Sequence, residues 1–450
     1  EDLLLNRFIL IEFGLSFFCT FSAMFCFWIS AYTIHFGLVV YSLVCMIGFM
    51  TGLEIPLIMR INQTYESLRE NISSVMEYDY YGGLLGGALF AFVLLPFLGL
   101  TYTPVLIGSL NLLVASLVLW HFSNHLVRPR ILNIQFTALL IISVLAFSVA
   151  KPIVLYGEQH KYKDKIIYQE QTRYQKIVVT QWKDNFWLFI NGSTQFSTYD
   201  EERYHEPLVH PVMSLLKEHK DILLLGAGDG LAAREILKYS DVESLTLVDL
   251  DPAMTRLARQ HKMFLEINQG SLNDTRVRVI NKDAYQFMKE SPDLYDAIII
   301  DLPDPKSVSL SLLYSLGFYK MVEKHLKPFG AMVTQSTSPL YSPEAFLCIK
   351  KTMQAANFST LPYQNSVPSM GQWGWVLGIR KKTMPANRLK QEIIAQKLSD
   401  IETRFFNQNA MISMANFGKG LFEKEDKIKP NTQFNHNILK YYRQGSWDLY

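Results

Sequence analysis

Residues 222–230 read ILLLGAGDG, an apolar run that leads directly into a turn with three glycines. The apolar run predicts a strand buried on both faces, and the glycines permit a tight reversal into a helix from Leu231. The same order of strand and helix recurs at LTLVDLD (245–251), VRVINKDA (277–284), DAIIID (296–301) and AMVTQS (331–336). This alternation predicts an α/β domain with a doubly wound parallel sheet.

The first third of the chain has a different composition from the rest. No lysine occurs before Lys151, charges are sparse, and long apolar runs dominate. We expect five membrane-spanning helices, each near the ~20 residues that a bilayer requires, at residues 7–30, 36–59, 82–100, 103–121 and 131–150. Such a series of runs excludes a secretory signal, which is one short apolar region. Because the sequence does not begin with Met, further helices upstream are left open.

The change of composition predicts four regions along the chain. They are a multi-pass transmembrane helical domain (1–155), a small β-hairpin subdomain (156–205), a Rossmann-like, methyltransferase-type domain (206–382) and a helical tail (383–450). The hairpin is indicated by IVVTQWKDNFWLFING (177–192), in which two β-rich runs are joined through Lys183-Asp184-Asn185. The tail ends in the aromatic cluster YYRQGSWDLY and shows no evident chemistry.

Charge and cysteine content exclude some classes of function. The formal net charge is only +2, so the chain lacks the basic character that nucleic-acid binding requires. Its 4 cysteines include no CxxC pair and no metal-ligand spacing, so we expect neither a disulfide framework nor a metal site.

Carboxylates follow two of the predicted strands. Asp229 lies in the glycine turn, and Asp301 and Asp304 lie in IIIDLPDPKS (298–307). We expect all three at the carboxyl edge of the sheet, where ligands of α/β folds bind. Together they favour a cationic ligand and disfavour a phosphate or a carboxylate. The alternative is that the acids of DLPDP only cap the following helix.

The turn and its neighbours favour an adenosyl ligand. Leu231 stands where a dinucleotide-binding turn has its third glycine, so a ligand without phosphates fits better than NAD. Asp249 is placed to bind a pair of ribose hydroxyls, and Asp283 to accept from an adenine amino group. S-adenosylmethionine carries a carboxylate, whereas its decarboxylated form presents only an amine and a sulfonium. The acids therefore favour the decarboxylated form.

Eight short motifs occur in one order over roughly residues 170–380. They are YQ (174–175), NGSTQ (191–195), YHE (204–206), GAGDG (226–230), VDLD (248–251), KDA (282–284), DLPDP (301–305) and VTQS (333–336). With these motifs the chain resembles the aminopropyltransferases, the spermidine synthase family. The stretches NGSTQFSTYDEERYHEPLVHP and VPSMGQWGW are similar to its bacterial branch with an amino-terminal membrane domain.

The resemblance implies an activity and a set of residue roles. The activity is transfer of an aminopropyl group from decarboxylated S-adenosylmethionine to an amine such as putrescine, which gives spermidine and 5'-methylthioadenosine, with no metal or other cofactor. The implied base is Asp301. The implied donor-binding residues are Gln175, Asp229, Asp249, Asp283 and Ala284, and the implied acceptor-binding residues are Tyr204, His205 and Asp304.

The chain departs from the family pattern at two positions, and other functions stay open. The family usually has a glutamate in place of Asp249 and a tyrosine in place of Val367, and the second difference leaves the acceptor amine open. The alternatives are a membrane-associated methyltransferase that uses S-adenosylmethionine and a membrane protein that only senses polyamine. Expected partners are the two substrates and the lipid bilayer, not nucleic acid, and a homodimer is left open.

The location expected is the bacterial inner membrane, with the catalytic domain in the cytoplasm because its donor is made there. The positive-inside rule conflicts with this expectation. Arg60 and Arg69 share one loop, and Arg128 and Arg130 lie two spans later on the same side. With five spans, cytoplasmic arginine loops would place the catalytic domain outside, so the topology is left open.

Overall fold

A computed structural model describes residues 2–30, 32–33, 35–63, 67–396 and 401–447. Residues 397–400 and 448–450 of the predicted tail lie outside this described part. The chain divides into two compact units, residues 1–165 and residues 166–450. We call them the helical unit and the α/β unit.

The helical unit consists of long helices. Their bounds are Asp2–Ser30 (α1), Phe36–Asn62 (α2), Leu68–Leu89 (α3), Leu95–His121 (α4) and Pro129–Gln159 (α5), with a π-helical turn at Phe90–Leu94 and a 3₁₀ turn at Ser123–His125. In the described residues, 4 helices are long and apolar enough to cross a membrane, where the sequence predicted five spans.

The difference arises at the third of these helices. It runs over 53 residues, Arg69–His121, because the π-helical turn joins α3 to α4 without interruption. At ~1.5 Å per residue it would be about 80 Å long, far more than the ~30 Å of a bilayer core. Its backbone leaves helical geometry at Gly99, with φ 63° and ψ −173°. The break lies beside the boundary predicted between the spans 82–100 and 103–121.

Helix α1 is the most buried helix of this unit and packs against α2, α4 and α5. By contrast, large apolar side chains on other helices remain exposed, among them Leu84, Phe97 and Trp120. An apolar surface of this extent is typical of a region that contacts lipid or another protein.

The α/β unit begins with a small sheet in the order β1-β2-β3-β4. Its strands are Lys165–Gln171 (β1), Lys176–Trp182 (β2), Asn185–Ile190 (β3) and Ser193–Ser197 (β4). The predicted hairpin is formed by β2 and β3, with Trp182 opposite Asn185. The subdomain is larger than a hairpin, because β1 and β4 extend it on both sides.

The second sheet has seven strands in the order β10-β11-β9-β8-β5-β6-β7. They are Asp221–Gly226 (β5), Ser244–Asp249 (β6), Val277–Asn281 (β7), Tyr295–Asp301 (β8), Leu326–Gln335 (β9), Phe358–Val367 (β10) and Gly371–Arg380 (β11). Strands β5 to β9 pair in parallel, as predicted. The last two strands form an antiparallel hairpin on β9, which the strand–helix pattern did not predict.

Helices cover both faces of this sheet. They are Glu202–Leu215 (α6), Leu231–Ile236 (α7), Pro252–Gln260 (α8), Lys262–Ile267 (α9), Ala284–Glu290 (α10), Val308–Leu312 (α11), Leu316–His325 (α12) and Pro343–Ala355 (α13). The isoleucine run of β8 contributes to the hydrophobic core on both faces of the sheet, since Ile299 packs into one core and Ile298 and Ile300 into the other. A central strand covered on both faces needs this continuous apolar run.

The described part of the tail contains three further helices. They are Ala386–Ala395 (α14), Gln408–Met414 (α15) and Asn437–Arg443 (α16), with a 3₁₀ segment at Leu421–Lys427 between the last two. Met411 and Met414 join the core on one face of the seven-stranded sheet, whereas Ile438 and Tyr442 join the core on the other. The tail therefore contributes to both layers of the α/β unit.

Candidate active site

The topology creates a crevice where β5 meets β8. From β5 the chain continues to β6 on one side and later reaches β8 on the other, and ligands bind at such a reversal of strand order. Gly226 pairs with Asp301 at the carboxyl ends of these two strands. With φ +83°, a Cβ on Gly226 would lie 2.0 Å from the carbonyl oxygen of Asp301, so no side chain fits there.

Asp301 ends β8 and is half-buried. The hydroxyl of Tyr204 donates a hydrogen bond of 2.6 Å to its Oδ1. Burial raises the pKa of Asp301 to about 6, against the effect of the Tyr204 hydrogen bond, which lowers it. A carboxylate with this pKa is ionised at neutral pH and accepts a proton more readily than an ordinary aspartate.

Tyr204 and His205 come from α6. Burial raises the pKa of Tyr204 well above its usual value, so its hydroxyl stays protonated and remains a donor. Trp375 is fully buried, and its ring packs against that of Tyr204 with 5.4 Å between centroids. This packing restricts the position of the tyrosine ring. The ring of His205 lies edge-on to Tyr204, with 5.1 Å between centroids.

The protonation of His205 follows from its partners. Its Nδ1 lies 2.9 Å from the carbonyl oxygen of Glu201 and 3.0 Å from Oε2 of the same residue. Both oxygens are acceptors, since Arg234 donates to the carboxylate, so Nδ1 carries the proton. Burial lowers the pKa of His205, and the neutral ring leaves Nε2 as an acceptor.

Asp229 and Asp249 lie on the other side of the crevice. Oδ1 of Asp229 accepts from the backbone N–H of Leu231 at 2.8 Å. The oxygens of Asp249 accept from the backbone N–H groups of Gly228, at 3.1 Å, and Asp251, at 2.8 Å. Burial, together with the charges of Asp229 and Asp251, raises the pKa of Asp249 to about 6, against the effect of the two backbone hydrogen bonds, which lower it. Its remaining lone pairs suit hydroxyl donors such as a ribose pair.

Asp283 and Ala284 follow β7, whereas Gln175 lies in the loop between β1 and β2 of the small sheet. Asp283 is exposed, and its Oδ1 caps α10 by accepting from the N–H of Gln286 at 2.9 Å, with buried Ala284 as the first helical residue. Gln175 follows β1, and its N–H donates to Thr172. Within the described ranges, neither Gln175 nor Asp283 forms a hydrogen bond or ion pair with Asp301. Among the described residues predicted for the site, Tyr204 is therefore the one joined to Asp301 by a hydrogen bond.

Asp304 lies in the turn after β8. The hydroxyl of Tyr442 donates to its Oδ2 at 3.0 Å, and Nε2 of Gln335 lies 3.4 Å from its Oδ1. Tyr314 and Gln335 hold the turn itself by donating to the carbonyl oxygen of Leu302, at 2.9 and 2.6 Å. Burial raises the pKa of Asp304 above its usual value.

Sequence reasoning missed two of these contacts. Gln335 ends β9, so the rule that located Asp301 at a strand end could also have found it. Tyr442 belongs to the tail in which the sequence shows no evident chemistry, and its hydroxyl contacts Asp304 across 138 residues. A contact between residues so far apart in the sequence leaves no local pattern. The aromatic cluster of the tail was the only sequence feature that pointed to it. Val367, the second departure from the family pattern, is buried opposite Gly371.

The arrangement suits a ligand with positive charges. Carboxylates occupy the ends of β5, β6 and β8, and the pKa values of Asp249 and Asp301 are both raised to about 6. Asp301 differs from Asp249 in that a tyrosine hydroxyl orients it. In the described part of the chain, no three His, Cys, Asp or Glu side chains are grouped as metal ligands would be. Carboxylates can accept protons and attract positive charge.

Comparison of the sequence with known proteins finds one family domain and relatives with matching names. The spermine/spermidine synthase domain matches residues 201–391. A polyamine aminopropyltransferase of Oceanobacillus iheyensis is 38% identical over 461 aligned residues, which cover 99% of this chain and 86% of that protein. One of Leptospira interrogans is 42% identical, over 76% of this chain and 69% of that protein.

The fold is also similar to solved structures. A spermidine synthase in complex with the transition-state analogue AdoDATO superposes with a TM-score of 0.52 and 24% identity, over 59% of this chain and 89% of that one. The spermidine synthase of Thermotoga maritima gives a TM-score of 0.51 at 24% identity, over 59% and 88%. At this identity the likeness concerns the fold, which is Rossmann-like as predicted.

Proposed function

The chain belongs to the spermine/spermidine synthase family, and we propose that it is a polyamine aminopropyltransferase. It moves an aminopropyl group from decarboxylated S-adenosylmethionine to an amine such as putrescine, giving spermidine and 5'-methylthioadenosine. The contact of 2.6 Å between Tyr204 and Asp301 is the observation that carries the mechanism, because a carboxylate oriented in this way supports Asp301 as the base.

Donor binding is assigned to the acids on the β5–β6 side. Asp249 takes the ribose hydroxyls, Asp283 and Ala284 border the adenine, and Gln175 approaches from the small sheet. Asp229 takes the ammonium group of the donor. A carboxylate at that position would repel the carboxylate of S-adenosylmethionine, so the site selects the decarboxylated form.

The chemical step begins with the acceptor amine. Its ammonium form, with a pKa near ~10, has no lone pair, so it must lose a proton before it attacks. Asp301 takes that proton, and Tyr204 holds the carboxylate in position. The amine nitrogen then bonds to the carbon attached to sulfur, the carbon–sulfur bond breaks, and its electrons neutralise the sulfonium. The leaving group is neutral 5'-methylthioadenosine, so it needs no acid.

The far end of the acceptor is assigned to Asp304. A diamine with one nitrogen at Asp301 and its other ammonium at Asp304 is fixed along the line of attack. His205 supports the reacting nitrogen, since its neutral ring leaves Nε2 as an acceptor beside the base. In this proposal Asp301 is the proton acceptor, and Asp304 binds the second ammonium group of the diamine.

The direct test combines binding and turnover. The purified full chain is titrated calorimetrically with decarboxylated S-adenosylmethionine and with S-adenosylmethionine, and its products with putrescine are separated by chromatography. We expect tighter binding of the decarboxylated form, together with spermidine and 5'-methylthioadenosine in equal amounts. Tighter binding of S-adenosylmethionine, with a methylated product, would replace this function by a methyltransferase.

The proposed location is an inner membrane crossed by the helices of the helical unit, with the α/β unit in the cytoplasm, where its donor is made. The long apolar helices and their exposed apolar side chains support the membrane assignment. Protease accessibility in inverted and right-side-out vesicles tests the orientation, and cleavage of the α/β unit only in right-side-out vesicles would reverse it. The homodimer stays a prediction, which light scattering of the purified protein tests.

A further inference from the structure

The last part of the described chain is fastened close to the acceptor side of the site. Residues 428–447, which we call the closing segment, dock through Asn431, which is fully buried. Its Nδ2 donates to the carbonyl oxygens of Ser311, at 2.8 Å, and Tyr314, at 3.2 Å. Its own carbonyl oxygen accepts from the N–H of Leu316 at 2.8 Å. These buried contacts tie the segment to the helices that follow the DLPDP turn.

Within the closing segment, Tyr442 is the residue that reaches the site. It is 6% exposed, and its hydroxyl donates to Oδ2 of Asp304 at 3.0 Å. Trp447 holds it, with 4.5 Å between ring centroids and a hydrogen bond of 2.8 Å from Nε1 to the carbonyl oxygen of Tyr442. Tyr341 lies behind Trp447, at 5.9 Å between centroids. An aromatic cluster thus carries the hydroxyl that contacts the carboxylate.

The hydrogen bond from Tyr442 determines which lone pairs of the Asp304 carboxylate remain for a ligand. Tyr442 and, at a longer distance, Gln335 contact one oxygen each, and both are neutral donors. The positive charge of Lys306 and the Thr337 side chain also favour the ionised form of Asp304 and lower its pKa, against the effect of burial. Tyr442 and Gln335 fix the plane of the carboxylate without cancelling its charge. The remaining lone pairs are available to an ammonium group, in the direction that the two donors leave open.

We propose that Tyr442 is a positioning residue that acts through Asp304 to determine which aliphatic diamine the enzyme accepts. The inference rests on the proposed aminopropyltransferase function. Since Asp301 fixes one nitrogen of the acceptor, the position of Asp304 sets the chain length that spans the two acids. A rigid Asp304 selects one length, whereas a carboxylate free to rotate tolerates several.

The experiment compares the wild type with Tyr442→Phe, in the full chain in detergent or nanodiscs. Initial rates are measured with decarboxylated S-adenosylmethionine and with 1,3-diaminopropane, putrescine or cadaverine. We expect the acceptor KM for the preferred diamine to rise about tenfold, as for loss of a hydrogen bond to a charged group. The kcat and the donor KM should stay within about twofold, and the discrimination among the three diamines should fall.

A second readout separates this role from a purely structural one. The Tyr442 hydrogen bond stabilises the ionised form of Asp304, which binds the ammonium, so its loss should move the acid limb of acceptor kcat/KM to higher pH. In Asp304→Asn the residue through which Tyr442 acts is already altered. The double variant Asp304→Asn/Tyr442→Phe should therefore be no worse than Asp304→Asn alone.

The neighbouring tyrosine provides the matched control. The hydroxyl of Tyr441 accepts from the N–H of Lys429 at 3.2 Å and does not contact Asp304. Tyr441→Phe therefore loosens the closing segment without touching the carboxylate, and its acceptor KM should equal that of the wild type. Trp447→Phe removes the donor to the Tyr442 carbonyl oxygen and should reproduce the effect of Tyr442→Phe more weakly.

The outcomes distinguish the inference from the function on which it rests. An active wild type, together with a Tyr442→Phe variant of unchanged acceptor KM and diamine preference, would overturn the inference alone. Additive losses in the double variant, or an equal loss in Tyr441→Phe, would do the same. A folded wild type that transfers no aminopropyl group to any of the diamines would overturn the proposed function and the inference together.

Discussion

The hydroxyl of Tyr204 donates to Oδ1 of Asp301 at 2.6 Å and joins helix α6 to the end of strand β8 across 97 residues of sequence. The tyrosine occupies one carboxylate oxygen and leaves Oδ2 to receive a proton. The orientation of the proposed base therefore depends on a helix that follows the small sheet, as well as on the strand that carries it.

Replacing the base should impair the chemical step. In Asp301→Asn the amide keeps the shape of the side chain but cannot accept a proton, so kcat should fall by about 10²–10⁴-fold. Raising the pH supplies free amine and should restore part of the rate. Single-turnover rates across a pH series measure both effects, with the donor Kd as the control for folding. A wild-type rate in this variant would exclude Asp301 as the base.

Removing the tyrosine hydroxyl should change the pH dependence. Activity requires ionised Asp301, so the wild-type acid limb should lie near its pKa of about 6. The Tyr204 hydrogen bond lowers that pKa, so Tyr204→Phe should raise it and move the limb to higher pH. The control is Tyr363→Phe, which removes another buried hydroxyl, bonded to the carbonyl oxygen of Pro207 at 2.8 Å. If both variants shift the limb equally, the effect does not come from the contact with Asp301.

Replacing the anchor should weaken acceptor binding. Asp304→Asn removes a charge-assisted contact to an ammonium, typically ~1.5–3 kcal/mol, so the acceptor KM should rise about 10–150-fold. The donor Kd should be unchanged. Steady-state rates over a range of putrescine concentrations, paired with donor calorimetry, measure the two quantities. A loss confined to kcat would assign Asp304 to the chemical step instead.

Neutralising the acid of the glycine turn should reduce donor selectivity. Asp229→Asn keeps the oxygen that accepts from Leu231, so the turn should persist, but it no longer repels a carboxylate. The ratio of the Kd values for S-adenosylmethionine and its decarboxylated form should move toward one. Calorimetry with both ligands gives the ratio for the wild type and the variant. An unchanged ratio would show that another group rejects the carboxylate.

Stability should depend on a buried acid of α6. The carboxylate of Glu206 is fully buried and accepts from the N–H groups of Arg404, Phe405 and Phe406 at 2.7, 2.8 and 2.7 Å. Glu206→Gln places an amide donor against these donors and should lower the free energy of unfolding by about 2–4 kcal/mol. Thermal unfolding of the purified chain measures the loss.

The control for Glu206 lies one turn earlier on the same helix. Glu202 is partly exposed and lies 3.5 Å from the side chain of Arg404. Glu202→Gln should lower the free energy of unfolding by less than about 1 kcal/mol, since partly exposed ion pairs contribute little. Equal melting temperatures for the two variants would contradict the role given to Glu206.

Local sequence patterns predicted the parallel strands and the acids that follow them. Strands β5 to β9 were readable because each is a short apolar run before a turn, and the acids at Asp229 and Asp301 followed from their place at strand ends. The antiparallel pairing of β10 and β11 was missed because the strand–helix alternation stops at β9. Glu206 and Tyr442 were missed because their partners lie 138 or more residues away and depend on how the tail packs.

The hydrogen bond between Tyr442 and Asp304 also has a consequence during synthesis on the ribosome. Its partners are 138 positions apart, and translation adds about 5–20 residues each second, so about 7–28 s separate their appearance. All seven strands of the large sheet are made before Tyr442. In a nascent chain the residues of the proposed base and donor pocket are therefore made before the acceptor end is complete, so selectivity for the amine is acquired later than the groups for the chemical step.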